Sequence, residues 1–388
     1  MLEVILLFTF WVSITVIVYC YVGFPIFLAI RGLFFPKTIR LEPTYSPQVS
    51  VIIAAYNEAD SITKKLDSVL ASNYEPSQLE IIVASDGSTD GTNDLVASFK
   101  KSGVRLLDLP RQGKNSVINQ AVAAASGEIL IFTDADSILL PDSVRNLVAP
   151  FADPEIGGVG GDYRHASKNV KQEGERAYWN YDRKLKQLQS AGGSVSGASG
   201  ALFAIRRSLF KPVPDGVTDD FYIVMQVISS HYRLVFEPTA IALGPVASSA
   251  QAEFNRKVRI ITRGFRGVWL MRHLLNPFLY GSFAFQLFTH KLLRRLMSIP
   301  LILLAISAPV LWNLGLIYVI AAIVQLGFHL TAFIGLVLRN TKLGQSKIIS
   351  LPFHFDLIYY ASFIALINMV RGKQYAKWGP ERSAGSSL

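Results

Sequence analysis

A chain of 388 residues with a single cysteine has no disulfide framework and no thiolate metal site. That cysteine, Cys20, lies inside an apolar run, away from any nucleophilic chemistry. Charge is absent over long stretches. No Asp, Glu, Lys or Arg occurs at residues 4–30, and none occurs at residues 296–338. Acidic residues are fewer than basic ones, 28 against 38, which leaves a net charge of +10. A basic stripe interleaved with aromatics, the footprint of a nucleic-acid surface, is missing as well, so no nucleic-acid partner is expected. The surplus Lys and Arg gather beside the apolar runs, where attraction to anionic lipid headgroups accounts for them.

What is present is apolar: 51% of residues are hydrophobic and the mean hydropathy is +0.34. The excess sits at the two ends. Residues 1–31 read as an N-terminal transmembrane anchor, because the charge-free run exceeds the bilayer's hydrocarbon thickness. The run is not preceded by basic residues as a cleaved signal would be, and Arg31, Lys37 and Arg40 follow it. The positive-inside rule then places the next segment in the cytoplasm. Residues 277–295 read as an amphipathic interface helix. Residues 296–338 read as two crossings that turn at Asn313, Leu314 and Gly315. Residues 348–370 form a third apolar block, interrupted by Asp356, that is either spanning or interfacial. The basic tail, 371–388, is expected to stay cytoplasmic. The expectation is an integral protein of a bacterial-type inner or plasma membrane with residues 47–276 as a cytoplasmic soluble region.

That region is organised around residues 127–136, GEILIFTDAD, an apolar run that ends in two carboxylates one residue apart. A short apolar run bounded by turn signals reads as a buried strand. Three similar runs precede it at 49–54, 79–84 and 104–109, and a helical pattern at 113–125 falls between the third and the fourth. Alternating strands and helices predict βαβ units with a parallel sheet. In such a sheet the strand ends at Tyr56-Asn57-Glu58, at Asp86, and at Asp134 and Asp136 share one edge, where open α/β sheets bind ligands. An isolated D-x-D is more often a solvated acidic turn. Convergence with the other strand ends favours a divalent metal carrying substrate phosphates. Tyr56 could then stack on a base, Glu58 or Asp86 accept from base or ribose, and Lys114 offer a point charge to phosphate.

Farther on, residues 157–162 (GGVGGD) are glycine-dense without a helix-opening pattern, so they are no dinucleotide fingerprint. Residues 171–189 read as an amphipathic helix. Residues 192–201, GGSVSGASGA, lack bulk and would admit a ligand close to the backbone. The apolar continuation at 201–205 reads as a strand. Thr218 can cap a helix running to about His231, with Asp219 and Asp220 in its first turn as dipole-favoured carboxylates or as a general base. Residues 254–274 carry Arg256, Lys257, Arg259, Arg263 and Arg266 on a helical stretch, either a phosphate-gripping arm or a membrane-surface helix.

Taken together, VSVIIAAYNE (49–58), ASDGSTDGT (84–92), RQGKNSVINQA (111–121), FTDAD (132–136), SGASGA (196–201), TDD (218–220) and RKVRI (256–260) resemble the motifs of membrane-integrated family 2 glycosyltransferases. This is the group that includes cellulose, hyaluronan and poly-N-acetylglucosamine synthases. The resemblance covers about residues 48–268 and implies an α/β GT-A fold, a Rossmann-like nucleotide-sugar-binding sheet, between N- and C-terminal transmembrane helices. It further implies inverting, metal-dependent transfer from a nucleotide sugar, expected to be a UDP-sugar, to a glycan or lipid-linked acceptor in cell-surface or exopolysaccharide synthesis. By the same resemblance Tyr56, Glu58, Asp86, Lys114, Asp134, Arg256 and Arg259 bind the nucleotide sugar, and Asp134 and Asp136 serve Mg²⁺ or Mn²⁺. Ser199, Gly200 and Asp219 line the acceptor side, and Asp220 is the catalytic base. Two departures stand out. The family's T-E-D is T-D-D here, and the tryptophan of its Q-x-x-R-W motif is Ile260. The second disfavours a processive synthase, which remains the alternative within the class. From another class, the alternative is a membrane-tethered nucleotide-sensing or accessory protein without catalysis.

Overall fold

The computed structural model describes residues 1–42, 44–165, 173–245 and 250–373. Lys377 and Arg382 of the tail and the first residues of the helix expected from 171 lie outside the described residues. At the N-terminus α1 (Leu2–Val18) and α2 (Phe24–Phe34) join through a π turn, Tyr19–Gly23, into one 33-residue apolar helix. The chain then alternates as the apolar spacing predicts. It runs through β1 (Val49–Ala55), α3 (Ala59–Leu70), β2 (Leu79–Asp86), α4 (Thr92–Ser98), β3 (Val104–Leu109), α5 (Lys114–Ala124) and β4 (Ile129–Asp134). β5 (Ile138–Leu139), α6 (Ser143–Val148), β6 (Ile156–His165), α7 (Glu173–Ala191), β7 (Phe203–Arg206), α8 (Asp219–Ser229), β8 (Arg233–Gly244) and α9 (Ala250–Leu270) complete the α/β region.

Among the described residues the eight strands form one sheet in the order β3-β2-β1-β4-β7-β6-β8-β5. β1 pairs in parallel with β2 and β4, and β2 with β3, so their carboxyl ends share an edge. β7 enters antiparallel between β4 and β6. All seven residues of β1 are buried, as a strand covered on both faces must be. Its alternation splits the core. Val51, Ile53 and Ala55 join Ile62 and Leu66 of α3 and Leu147 of α6, while Ile52 and Ala54 join Val117 and Ala121 of α5 and Ile223 and Met225 of α8. Each fully buried Val or Ile contributes about 1.5–3 kcal/mol to this packing.

The glycine-dense 157–162 is the surprise, because it is the middle of strand β6. Glycine disfavours strands, which hid this one from pattern reading. The structure supplies the reason for it. A Cβ on Gly157 would come within 3 Å of Tyr232, Leu209 and Val227, and one on Gly161 would strike the Ala240 carbonyl and Leu202. The strand lies flush against its neighbours, so side chains are excluded there.

The C-terminal part differs from one interface helix and two crossings. Residues 277–295 form α10 (Pro277–Tyr280), α11 (Ser282–Leu287), a π turn at Phe288–Leu292 and a 3₁₀ turn at Leu293–Arg295. The break falls at Gly281, whose φ of +54° only glycine adopts freely. α12 (Ser298–Val310) has 13 residues, about 20 Å, short of a bilayer crossing. Segments Ser282–Arg295 and Ser298–Val310 are bent by 56° and reach spanning length only as a pair. α13 (Leu316–Leu338) and α14 (Lys347–Val370) are each long and apolar enough to span, as is Leu2–Phe34. Asp356, the charge that interrupts the last block, meets His329 of α13 at 2.8 Å. α14 also packs along α9 and α7, so the α/β region rests directly on the apolar helices.

Candidate active site

Three loops at the carboxyl edge of the parallel strands, those after β1, β2 and β3, are tied together by hydrogen bonds. After β1, Asn57 adopts the left-handed region (φ +53°), its side chain accepts from the Thr89 amide at 2.8 Å, and its own amide donates to the Ser88 hydroxyl. Asp90 accepts from the Ala59 and Thr92 amides and so holds the starts of α3 and α4. Glu58 is buried and accepts from the Ser61 hydroxyl at 2.7 Å. Asp86 is fully buried at the end of β2. It takes the Gln112 and Gly113 amides at 2.7 and 2.9 Å and pairs with the Arg111 guanidinium. That guanidinium lies 3.4 Å from the centre of the Tyr56 ring. Tyr56, Asp86 and Arg111 thus form one aromatic and hydrogen-bonding unit. Arg111 stands within a motif quoted above, yet its role there was not evident from sequence.

The D-x-D caps β4, with Asp134 and Asp136 half-buried. Lys114, first residue of α5, bridges Asp134 at 2.9 Å and Asp219 at 3.0 Å. Two carboxylates hold its proton firmly, well above the ordinary lysine range. Behind the turn lies a residue that sequence reading missed. Lys65 of α3 is wholly buried and donates to the Thr133 hydroxyl (2.6 Å) and to the Ser137 carbonyl (2.8 Å), one on each side of the D-x-D. Burial pulls its pKa down to about 7, against the upward pull of Asp134 and Asp136. Its position on the buried face with Ile62, Leu66 and Val69 was the available signal.

The T-D-D starts α8. Thr218 holds the cap position, but its side chain makes no capping bond; Asp220 instead accepts from the Phe221 amide at 2.6 Å. The two carboxylates diverge. Burial alone would raise the Asp219 pKa, yet Lys114 and then Arg263 hold it low. Asp220 is raised by burial and then by Asp219 beside it. Arg263 donates to the Val217 carbonyl and to Asn115, so α9 buttresses this turn from behind. Arg259, one turn earlier, is near enough to repel it. Arg256 lies on the same helix with a buried, unbonded Nε. Of the five basic residues expected to act together, Arg263 and Arg266 therefore face the loop before α8, with Arg266 against Gly216.

Gly200 joins the two carboxylate groups. A Cβ built there would lie 3.7 Å from Asp134 Oδ2 and 3.7 Å from Asp220 Oδ2. Ser199 shares this loop, its hydroxyl accepting from the Ala201 amide. The empty point over Gly200 is thus flanked by the D-x-D on one side and by Asp220 on the other. Among the described residues no group of three or more His, Cys, Asp or Glu could hold a metal. The oxygen pair of Asp134 and Asp136 fits Mg²⁺ or Mn²⁺, which take one or two protein carboxylates and complete their shell with phosphate and water.

The Glycosyl transferase family 2 description matches residues 50–213. Poly-beta-1,6-N-acetyl-D-glucosamine synthase of Staphylococcus aureus (strain MSSA476) is 27% identical over 259 residues, and that of Staphylococcus epidermidis is 27% identical over 220. These alignments span 61% and 54% of this chain, and 62% and 53% of the relatives' own length. The structure is similar to the mannosyltransferase PcManGT of Pyrobaculum calidifontis, solved with GDP-Man and Mn²⁺, at a TM-score of 0.73 and 23% identity, covering 94% of this chain and 100% of that one. The sheet, its edge loops and these similarities agree: residues 50–213 match a glycosyl transferase family 2 domain, and the chain has a GT-A-like fold.

Proposed function

We propose that this enzyme transfers a sugar from a nucleoside-diphosphate sugar, expected to be a UDP-sugar, to an acceptor hydroxyl with inversion at the anomeric carbon. One observation carries the reading: Asp134 and Asp220 flank the same empty point over Gly200. The donor's base lies against Tyr56 and Asp86, with Arg111 moving aside or sharing the stack. Its diphosphate lies along Asp134, Asp136 and Lys114. A Mg²⁺ or Mn²⁺ on Asp134 and Asp136 would supply charge neutralisation for the leaving diphosphate. Asp220 takes the proton of the acceptor hydroxyl as that oxygen bonds to the anomeric carbon and the diphosphate departs. Its raised pKa suits a base, whereas Asp219 is committed to Lys114.

The acceptor we assign is a lipid-linked or membrane-proximal glycan, because α9 and α14 place this edge against the apolar helices. The similarity to polysaccharide synthases supports glycan chemistry. Ile260 is 44% exposed where the processive synthases carry a stacking tryptophan, which supports addition of one or a few sugars. The α/β region faces the cytoplasm, where nucleotide sugars are made and where Arg31, Lys37 and Arg40 belong. Purified protein with Mn²⁺ and membrane lipid extract should release nucleoside diphosphate from at least one donor of a UDP- and GDP-sugar panel. No release from any donor would remove the reading. A non-catalytic accessory protein would instead keep its function after Asp220→Asn.

A further inference from the structure

The small-residue loop 192–201 is held from the membrane side. Arg31, at the end of α2, donates to the Gly192 carbonyl at 3.0 Å. The π turn Phe288–Leu292 holds the middle of the loop, with His290 Nδ1 2.7 Å from the Ser196 hydroxyl. The same turn is fastened to the first apolar helix, since the Thr289 and Tyr19 hydroxyls lie 3.0 Å apart. One face of this loop therefore meets the apolar helices, and Gly200 meets the catalytic carboxylates.

Lys291 reaches from that turn toward the loop. A Cβ on Gly197 would lie 2.8 Å from its Nζ, so the ammonium lies against the bare backbone of the loop. The neighbouring groups are satisfied: the Lys186 and Arg294 cations share the carboxylate of Asp182 at 3.0 and 3.8 Å, and the His290 ring lies 3.5 Å from it. Asp182 is held well below the ordinary carboxylate range, against its burial, by Lys186 and these neighbours. No capacity remains for Lys291, which has no hydrogen bond or ion pair among the described residues. Beyond Asp182, the carboxylate that acts on its charge is Asp220. A π turn inside a helical segment is itself a frequent mark of function.

We propose that Lys291 binds a phosphate group of the acceptor, so that the acceptor is a phosphorylated lipid whose head enters between the π turn and the 192–201 loop. Lys186 and Arg294 already share the one carboxylate of Asp182, and Lys291 beside them adds a positive charge suited to a phosphate. With its phosphate on Lys291, the lipid's hydroxyl-bearing end points past Gly197 and Gly200 toward Asp220. This deepens the transferase reading and rests on Asp220 being the base.

The test uses full-length protein in detergent with dihexanoyl phosphatidic acid as the phosphate-bearing probe and dihexanoyl glycerol as its uncharged match. Binding is followed by native mass spectrometry, and Mn²⁺–UDP affinity by calorimetry. Wild type should retain phosphatidic acid over the glycerolipid, and Lys291→Arg should keep that preference. Lys291→Met should weaken phosphatidic acid about tenfold while leaving UDP affinity unchanged, which also certifies its fold. Equal retention by wild type and Lys291→Met overturns the proposal. A loss of UDP affinity with lipid retention intact also overturns it, because Lys291 then serves the donor's diphosphate. Neither readout requires turnover, so the proposal can fail while transfer persists.

Discussion

The edge of the parallel strands and the junction with the apolar helices treat charge in opposite ways. At the first, charged groups are matched within the chain: Asp86 with Arg111 and two amides, Lys114 with Asp134 and Asp219, and Lys65 with Thr133 and Ser137. At the second, two cations share Asp182, Lys291 has no carboxylate of its own, and Asp220 carries a raised pKa. A prearranged edge costs little reorganisation when a donor binds, since fixed dipoles and charges already stand where its charge develops. A region with unmatched charges is costly on its own and gains stability when a ligand of opposite charge fills it. Under the proposed function the contrast suits the rigid edge to the donor and the unmatched junction to the acceptor.

The largest effect that tests this division is Asp220→Asn, which should lower transfer by about 10²–10⁴-fold, the range for losing a general base. UDP affinity measured by calorimetry should stay unchanged, and a joint loss would merge the two regions. Asp134→Asn and Asp136→Asn should do the reverse. They should weaken Mn²⁺-dependent nucleotide binding about tenfold or more in the same titration, with the fold intact by circular dichroism.

A smaller effect concerns pH. Asp220 must be deprotonated to act, and burial and Asp219 raise its pKa, so kcat/KM should fall on acidification through a value above the usual carboxylate range. Asp219→Asn removes the neighbouring charge, and the acidic limb of the pH profile should move down by about one unit or less. An unmoved limb would show that Asp219 does not tune the base. The smallest effect falls on stability. Lys65 has a folded pKa near 7, below its unfolded value, so between pH 7 and 10 the unfolded chain binds more protons there. Thermal stability should therefore gain a component that rises with pH above 7, and Lys65→Met should lack it.

Pattern reading worked where local sequence and final environment agree. Strands β1 to β4 are continuous apolar runs buried on both faces, and the carboxylates that follow them were correctly placed on one edge. It failed at β6, where a Cβ on Gly157, Gly158 or Gly161 would fall within 3 Å of neighbouring atoms, a fact held by the neighbours and not by the strand. It failed at 277–295, where Gly281 and a π turn divide what looked like one amphipathic helix. Lys65 escaped notice because a lysine on an apolar helix face looks like an interruption until its three acceptors are visible.

By itself the sequence determined the alternation of strands and helices, the placement of Tyr56, Asp86 and the D-x-D at strand ends, and the apolar segments at both termini. Each follows from periodicity and hydropathy, which are properties of residues near one another in the chain. Only the tertiary structure decided that Lys114 would join Asp134 to Asp219, that Gly200 would leave space between Asp134 and Asp220, and that Lys291 would reach the same loop from the membrane side. Those contacts join residues 20 to more than 90 positions apart, and their geometry is set by packing, on which no local pattern reports. The D-x-D is thus recognisable as a strand-end acidic turn from sequence, while the space it shares with Asp220 exists only in the fold.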